Sequence, residues 1–204
     1  MDSVTSPPGY AGRYATKPYD DMTVPFLEIV ESRQFARRFV TLLDTHLIWH
    51  KHYFPWADAV IHALDSPPLW VVEISTIKYV PDASSAVRAF AYSEPFEEFN
   101  YVTLSDEHVA CMFQRQETGA TSWATFLWDA GCHVDGSDGR EECEYFFHML
   151  NQYEDAEYNA DVLCTQRKQV QDDFADVIRP ITSVHDTFMT YFRRLRTLGG
   201  ITKP

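Results

Sequence analysis

PFLEIVESRQFARRFVTLLDTHLIWHKHYFPWADAVIHALDSPPLWVVEISTI, residues 25–77, is the stretch that decides the fold of this chain. Aromatic, aliphatic and histidine side chains recur in it every three or four residues, at Phe35, Phe39, Leu42, Leu43, His46, Trp49, His50 and Tyr53. This spacing places side chains on one face of an α-helix. The pattern predicts one long amphipathic helix that begins at or just after Pro25, ends near residues 52–54, ahead of Pro55, and nucleates the core.

Further helix signals follow along the chain. Ser66, Ser105, Ser122 and Ser183 stand where a serine N-cap would begin a helix, and Pro180 is expected to end one. Together with the hydrophobic periodicity, they predict more helices over about residues 55–64, 67–80, 82–90, 105–117, 122–130, 141–153, 155–179 and 183–198.

The predicted fold class is all-α, an irregular bundle of about seven to nine helices. An α+β alternative with a small antiparallel sheet within residues 69–130 stays open, because residues 69–80 are rich in β-branched side chains and residues 108–130 also fit a hairpin. Residues 1–23 are expected to form an extended or partly disordered arm, and residues 24–204 a single helical domain. The predicted core contains Phe39, Leu42, Leu43, Trp49, Val60, Trp70, Phe126, Phe146, Leu150, Phe174, Phe188 and Phe192.

The charge balance limits the classes of partner. The 204 residues include 30 acidic and 17 basic side chains, for a formal net charge of −13. Such a charge repels nucleic acids and anionic membranes, favours solubility and attracts basic proteins. The four cysteines are widely spaced without a CxxC pair, and no signal-peptide pattern is present, so a cytoplasmic protein with free thiols is expected.

One histidine pair is the sharpest candidate for chemistry. His46 and His50 would lie one turn apart on the long helix, where two imidazoles can bind one metal ion. Glu144 and His148 form a similar pair on a later helix, so the four residues could make a site between helices. The pattern is not a complete ligand motif, and a histidine on an apolar stripe is more often a core residue. A metal-binding or metal-dependent helical enzyme therefore stays as the alternative hypothesis.

Other catalytic and binding motifs are incomplete or missing. The loop VDGSDGR, residues 134–140, resembles the start of a calcium loop, but Phe146 stands where the twelfth position requires a carboxylate. The chain contains no GxSxG elbow, phosphate-binding GxxxxGK[ST] or GxGxxG. No cofactor is indicated, and no residue is assigned a catalytic role. An aromatic pocket for a small molecule is a third hypothesis, since the chain holds 14 Phe, 11 Tyr and 5 Trp.

A long acidic segment carries the leading hypothesis. No lysine or arginine occurs in residues 141–166. A single-sign field speeds association with an oppositely charged partner. We therefore expect a non-enzymatic interaction protein that engages a basic protein, an inhibitor or immunity-type role being one form of it. The partner-binding residues predicted from this segment are Glu141, Glu142, Glu154, Asp155, Glu157 and Asp161.

Overall fold

The computed structural model describes residues 26–198 and is all-α over that range, which confirms the predicted fold class. No strand occurs in residues 69–130, so the α+β alternative is wrong. The predicted arm, residues 1–23, lies outside the described residues. Ten helices are described: α1 (Phe26–Glu31), α2 (Arg33–Asp44), α3 (His50–Ala63), α4 (Leu69–Ile74), α5 (Val80–Ala91), α6 (Tyr101–Glu117), α7 (Trp123–Asp135), α8 (Cys143–Asp155), α9 (Ala160–Asp173) and α10 (Ala175–Leu198).

The long first helix is wrong, because three helices occupy its span. The Ser32 hydroxyl accepts a hydrogen bond from the backbone N–H of Phe35 and thereby caps α2. The α2 helix ends where His46 adopts φ +55°. The N–H of His46 bonds to the carbonyl of Leu43 and that of Leu47 to the carbonyl of Leu42, at 3.0 and 2.9 Å. These two bonds form a Schellman motif, which turns the chain before α3.

The core joins the first and last thirds of the chain through aromatic side chains. Phe39 of α2 lies 4.4 Å, between ring centroids, from Phe188 of α10. Trp56 of α3 contacts both rings, and Trp70 of α4 packs against Phe39 and Trp56. Aromatic pairs at such separations add stability beyond the area that they bury. Most of the predicted core residues are buried, while Trp49 is 38% exposed and Phe192 is half-buried.

Two prolines that were expected to mark helix ends lie inside helices instead. Pro55 is within α3 and Pro180 is within α10. Each proline removes one backbone donor from its helix. The neighbouring side chains Trp56 and Ile181 are both fully buried, and this packing holds the helices together across the missing bond.

The serine caps were predicted with mixed success. Ser122 caps α7, accepting from the N–H of Thr125 at 3.1 Å as expected. The other three serines are not caps: Ser66 precedes α4, whose N-cap is Pro68, and Ser105 and Ser183 lie inside α6 and α10. The predicted helix over 155–179 is also wrong, since α9 ends at Asp173 and α10 begins at Ala175. No helix described here combines the length and apolar content needed to cross a membrane.

Candidate functional site

The predicted acidic site is divided between the two ends of α8. Glu141 and Glu142 precede the helix, and Glu154 and Asp155 lie in its last turn. Thirteen helical residues at about 1.5 Å each separate the two groups by roughly 20 Å. The structure therefore does not bring the six predicted residues into one surface.

At the start of α8, Glu141 lies beside an internal charge network centred on Arg140. The Arg140 backbone N–H and Nε donate to the carboxylate of buried Asp106 at 3.0 and 2.7 Å, and its Nη1 donates to Asp176 at 2.8 Å. Glu141 is half-buried beside this network, and burial, followed by the Asp173 carboxylate, raises its pKa. Of the first pair, only Glu142 is exposed, so this end of the helix contributes one exposed carboxylate to the six predicted residues.

Around the end of α8, four carboxylates remain together and exposed. We call Glu154, Asp155, Glu157 and Asp161 the acidic turn; all four side chains are exposed. None of the four takes part in an ion pair with any residue between 26 and 198. The nearby cations of α9 are engaged elsewhere, since Arg167 pairs with Glu117 and Lys168 with Asp172.

The backbone of the acidic turn forms a Schellman motif in which Glu157 occupies the left-handed position. Glu157 and Tyr158 have φ of +52° and +61°. The N–H of Tyr158 bonds to the carbonyl of Tyr153 at 2.8 Å, and that of Glu157 to the carbonyl of Glu154 at 2.9 Å. The Tyr153 and Tyr158 rings meet edge to face, 5.3 Å apart, which supplies the apolar contact usual in this motif. Glycine is the favoured residue at the position of Glu157.

The end of α6 shows the same motif with the favoured residue. Gly119 has φ +75°, its N–H bonds to the carbonyl of Gln116, and the N–H of Ala120 bonds to the carbonyl of Arg115. The α8 end also opposes the helix dipole, because Glu154, Asp155 and Glu157 lie at its partially negative end. The helix dipole therefore disfavours all three acids at the end of α8, and the backbone conformation disfavours Glu157 in addition.

The histidine pair is not a helical metal motif. His46 is the exposed residue of positive φ after α2, whereas His50 is the first residue of α3. Glu144 instead contacts the Cys143 thiol at 3.2 Å, and His148 contacts Gln152 at 2.8 Å. Within residues 26–198, no group of three or more His, Cys, Asp or Glu side chains is placed to hold a metal ion.

A Ser–His contact that sequence reasoning missed joins α6 to α7. Ser105 Oγ lies 3.2 Å from His133 Nε2 and 2.7 Å from Ser137 Oγ, and Ser137 donates to the carbonyl of His133 at 2.8 Å. Each hydroxyl has one proton, so Ser105 donates to Ser137 and His133 Nε2–H donates to Ser105. With its Nε2 protonated, His133 is a donor to this serine and not a base for it. The closed ring fixes the loop after α7 against α6.

A second missed feature is the buried charge of α6. Glu107 is fully buried and accepts from Arg38 Nε at 2.8 Å, and it also pairs with buried Arg37. The expected cap at Ser105 implied that Glu107 lies in the first turn of a helix, and residue spacing did not reveal its arginine partners, which lie about 70 residues earlier in the chain.

Comparisons with protein-family models, with curated proteins and with solved structures found no match to this chain.

Proposed function

We propose that this protein is a non-enzymatic interaction module that binds a basic segment of a partner protein through the acidic turn. One observation carries the proposal: Glu154, Asp155 and Glu157 occupy a helix end where the dipole and, at Glu157, the backbone disfavour them. Residues that lower stability without an internal partner are common at functional surfaces. An inhibitor or immunity-type role is one form of this function.

The surroundings of the acidic turn favour a protein partner. Tyr158, 59% exposed, stands between the carboxylates and offers an aromatic contact beside them. An exposed aromatic ring among charges of one sign supplies contact area, while the charges steer the approach of a basic surface.

The four cysteines are free, with Cys132 and Cys164 exposed. We propose a cytoplasmic location on that basis, since exposed thiols persist in reducing compartments.

Charge neutralisation at the turn tests the function. The variant Glu154→Gln, Asp155→Asn, Glu157→Gln, Asp161→Asn is compared with a control that removes the same charge from scattered exposed sites: Asp58→Asn, Asp65→Asn, Glu73→Gln and Asp129→Asn. Binding of a basic partner isolated by affinity capture at low salt is then measured as a Kd between about 50 and 300 mM salt. We expect the turn variant to bind about tenfold or more weakly, with a flatter salt dependence, and the control to bind like the native chain.

Two results contradict the proposal. Equal losses in the turn variant and the scattered control would show that net charge alone attracts the partner. Failure of the native chain to bind any basic protein at low salt would remove the function altogether. Circular dichroism of both variants establishes that each remains helical.

A further inference from the structure

A cleft formed in part by the loop that precedes α8 combines an exposed aromatic ring with a carboxylate. Two adjoining depressions, of about 630 and 350 Å³, share Tyr101 and Asp138 in their walls. Phe99 and Val102 complete the wider part, and Ser105 and His133 line the narrower part. The cleft thus runs between the start of α6 and the loop that follows α7.

Tyr101 is the most exposed of the large apolar side chains described, at 78%. The protein covers several other aromatic rings, one of them the cleft residue Phe99, with its own arginines. The guanidinium carbon of Arg37 lies 5.1 Å from the centroid of Phe99, and Arg33 and Arg140 lie at the same distance over Phe90 and Phe174. In the part of the chain that the structure describes, no cation lies over Tyr101. Its ring therefore offers an open face of the kind that guanidinium groups occupy here.

The charge around the cleft favours a cationic occupant. The segments that form it, residues 99–105 and 133–139, contain no lysine or arginine. Arg37, whose guanidinium lies over Phe99, is buried and paired with Glu107. The adjacent Arg140 is engaged with Asp106 and Asp176 and turns its guanidinium toward Phe174. Burial lowers the pKa of His133, so this imidazole is neutral at pH 7 and does not repel a cation. The Asp138 carboxylate is exposed and makes no ion pair with residues 26–198.

We propose that this cleft binds an arginine side chain of the partner protein, stacked on Tyr101 and paired with Asp138. The inference rests on the proposed function for a basic partner, but it assigns a separate site, because the cleft involves the loop before α8 and the acidic turn follows α8. Arginine fits better than lysine because a planar guanidinium can stack on a ring and pair with a carboxylate at the same time.

The test uses single-arginine peptides and amide chemical shifts. The native chain, labelled with ¹⁵N, is titrated with the capped tripeptide acetyl-Gly-Arg-Gly-amide, with its uncharged citrulline analogue and with the lysine analogue. We expect saturable shifts in residues 99–105 and 133–139 with a Kd on the order of 1 mM for arginine. The lysine peptide is expected to bind several-fold more weakly, and the citrulline peptide to leave these amides unchanged.

Variants identify the two contacts. Tyr101→Ala and Asp138→Asn should each weaken arginine binding by about fivefold or more, whereas Tyr101→Phe should retain it. Tyr79→Ala, at another exposed tyrosine, is the matched control and should bind like the native chain.

Equal shifts with citrulline, or arginine shifts confined to the acidic turn, would overturn the inference. The two proposals fail separately. If the native chain binds no basic protein, or if the turn variant and the scattered control lose binding equally, while the arginine peptide still shifts the cleft amides, only the proposed function is rejected. If partner binding depends on the acidic turn but the arginine peptide does not shift the cleft amides, only this inference is rejected.

Discussion

At position 157 the chain places a glutamate where the backbone favours glycine. The φ of +52° holds Glu157 in the left-handed region, which costs a residue with a β-carbon about 1 kcal/mol. Gly119 occupies the equivalent position after α6 without that cost. The contrast within one molecule permits a direct measurement of what the acidic turn costs the fold.

We predict that Glu157→Gly raises the free energy of unfolding by about 1 kcal/mol, since it removes both the strain and a charge at the negative helix end. Urea denaturation of the native chain and the variant measures the change. Glu157→Ala removes only the charge and should stabilise less, while Gly119→Ala should destabilise by about 1 kcal/mol. An unchanged or lower stability of Glu157→Gly would contradict this account of the turn.

The charge of Glu157 is predicted to lower the stability of the fold, whereas the buried charge of Glu107 is predicted to raise it. We predict that Glu107→Ala lowers the free energy of unfolding by about 3–5 kcal/mol, because it leaves Arg37 buried and Arg38 half-buried without their carboxylate. Thermal or urea unfolding measures the loss. Glu94→Ala, at an exposed acid, is the control and should change stability by less than about 0.5 kcal/mol. A loss below about 1 kcal/mol for Glu107→Ala would show that the pair contributes little.

Among the elements, α7 and α8 depend on a close approach at Gly131. A β-carbon built there would lie 2.6 Å from Phe147 Cε1, inside contact distance. We predict that Gly131→Ala destabilises the protein by about 1–3 kcal/mol through overpacking. Unfolding of the single variant is compared with that of Gly131→Ala combined with Phe147→Leu. The second substitution should recover part of the loss, and a simple sum of the two single effects would argue against a direct clash.

At the same scale, sequence predicted the helices better than their ends. Ser122 was recognised as a cap because its partner, the N–H of Thr125, is three residues away. Ser105 was misassigned because α6 begins at Tyr101 with Asn100 as its N-cap, whose side chain accepts from the N–H of Thr103 at 3.3 Å. Ser105 and its neighbours Asp106 and Glu107 are instead buried by contacts with residues about 30 or 70 positions distant, which residue spacing does not reveal. The break at His46 was missed for a related reason. An exposed histidine of positive φ fits the apolar spacing by coincidence, and residue spacing carries no signal for a left-handed backbone.

For the molecule as a whole, buried neutral histidines link stability to pH. Burial lowers the pKa of His52 and His108 to about 4, and it also lowers the pKa of His133 and His185. Each folded pKa lies below the unfolded value of 6.5, so the unfolded chain binds more protons as the pH falls. The stability contributed by these histidines is complete above pH 6.5 and is lost as the pH falls toward 4.

We predict that the free energy of unfolding falls by several kcal/mol between about pH 7 and 4.5. Urea denaturation across that range measures it. Substitution of half-buried His108 by Asn should reduce the slope, whereas substitution of exposed His62 should not. A stability that stays constant down to pH 5 would contradict the neutral state of these side chains.

Only part of the candidate site could be predicted from the sequence. The acid-rich segment identified all members of the acidic turn, because net charge needs no knowledge of contacts. Sequence did not separate them from Glu141, which is half-buried and whose pKa burial and the Asp173 carboxylate raise. The cleft at Tyr101 was missed because its two walls come from segments about 30 residues apart, and the sequence carries no signal that brings these segments together.

The contact between Phe39 and Phe188 has a consequence for biosynthesis. The two rings belong to helices separated by almost the full described length, so α2 and α3 cannot complete the burial of their aromatic faces until Phe188 has been translated. A nascent chain that has not yet produced α10 leaves the Phe188-facing sides of Phe39 and Trp56 uncovered, and apolar surface exposed in this way promotes aggregation. The core that α2, α3 and α4 share is therefore closed only after α10 has emerged from the ribosome.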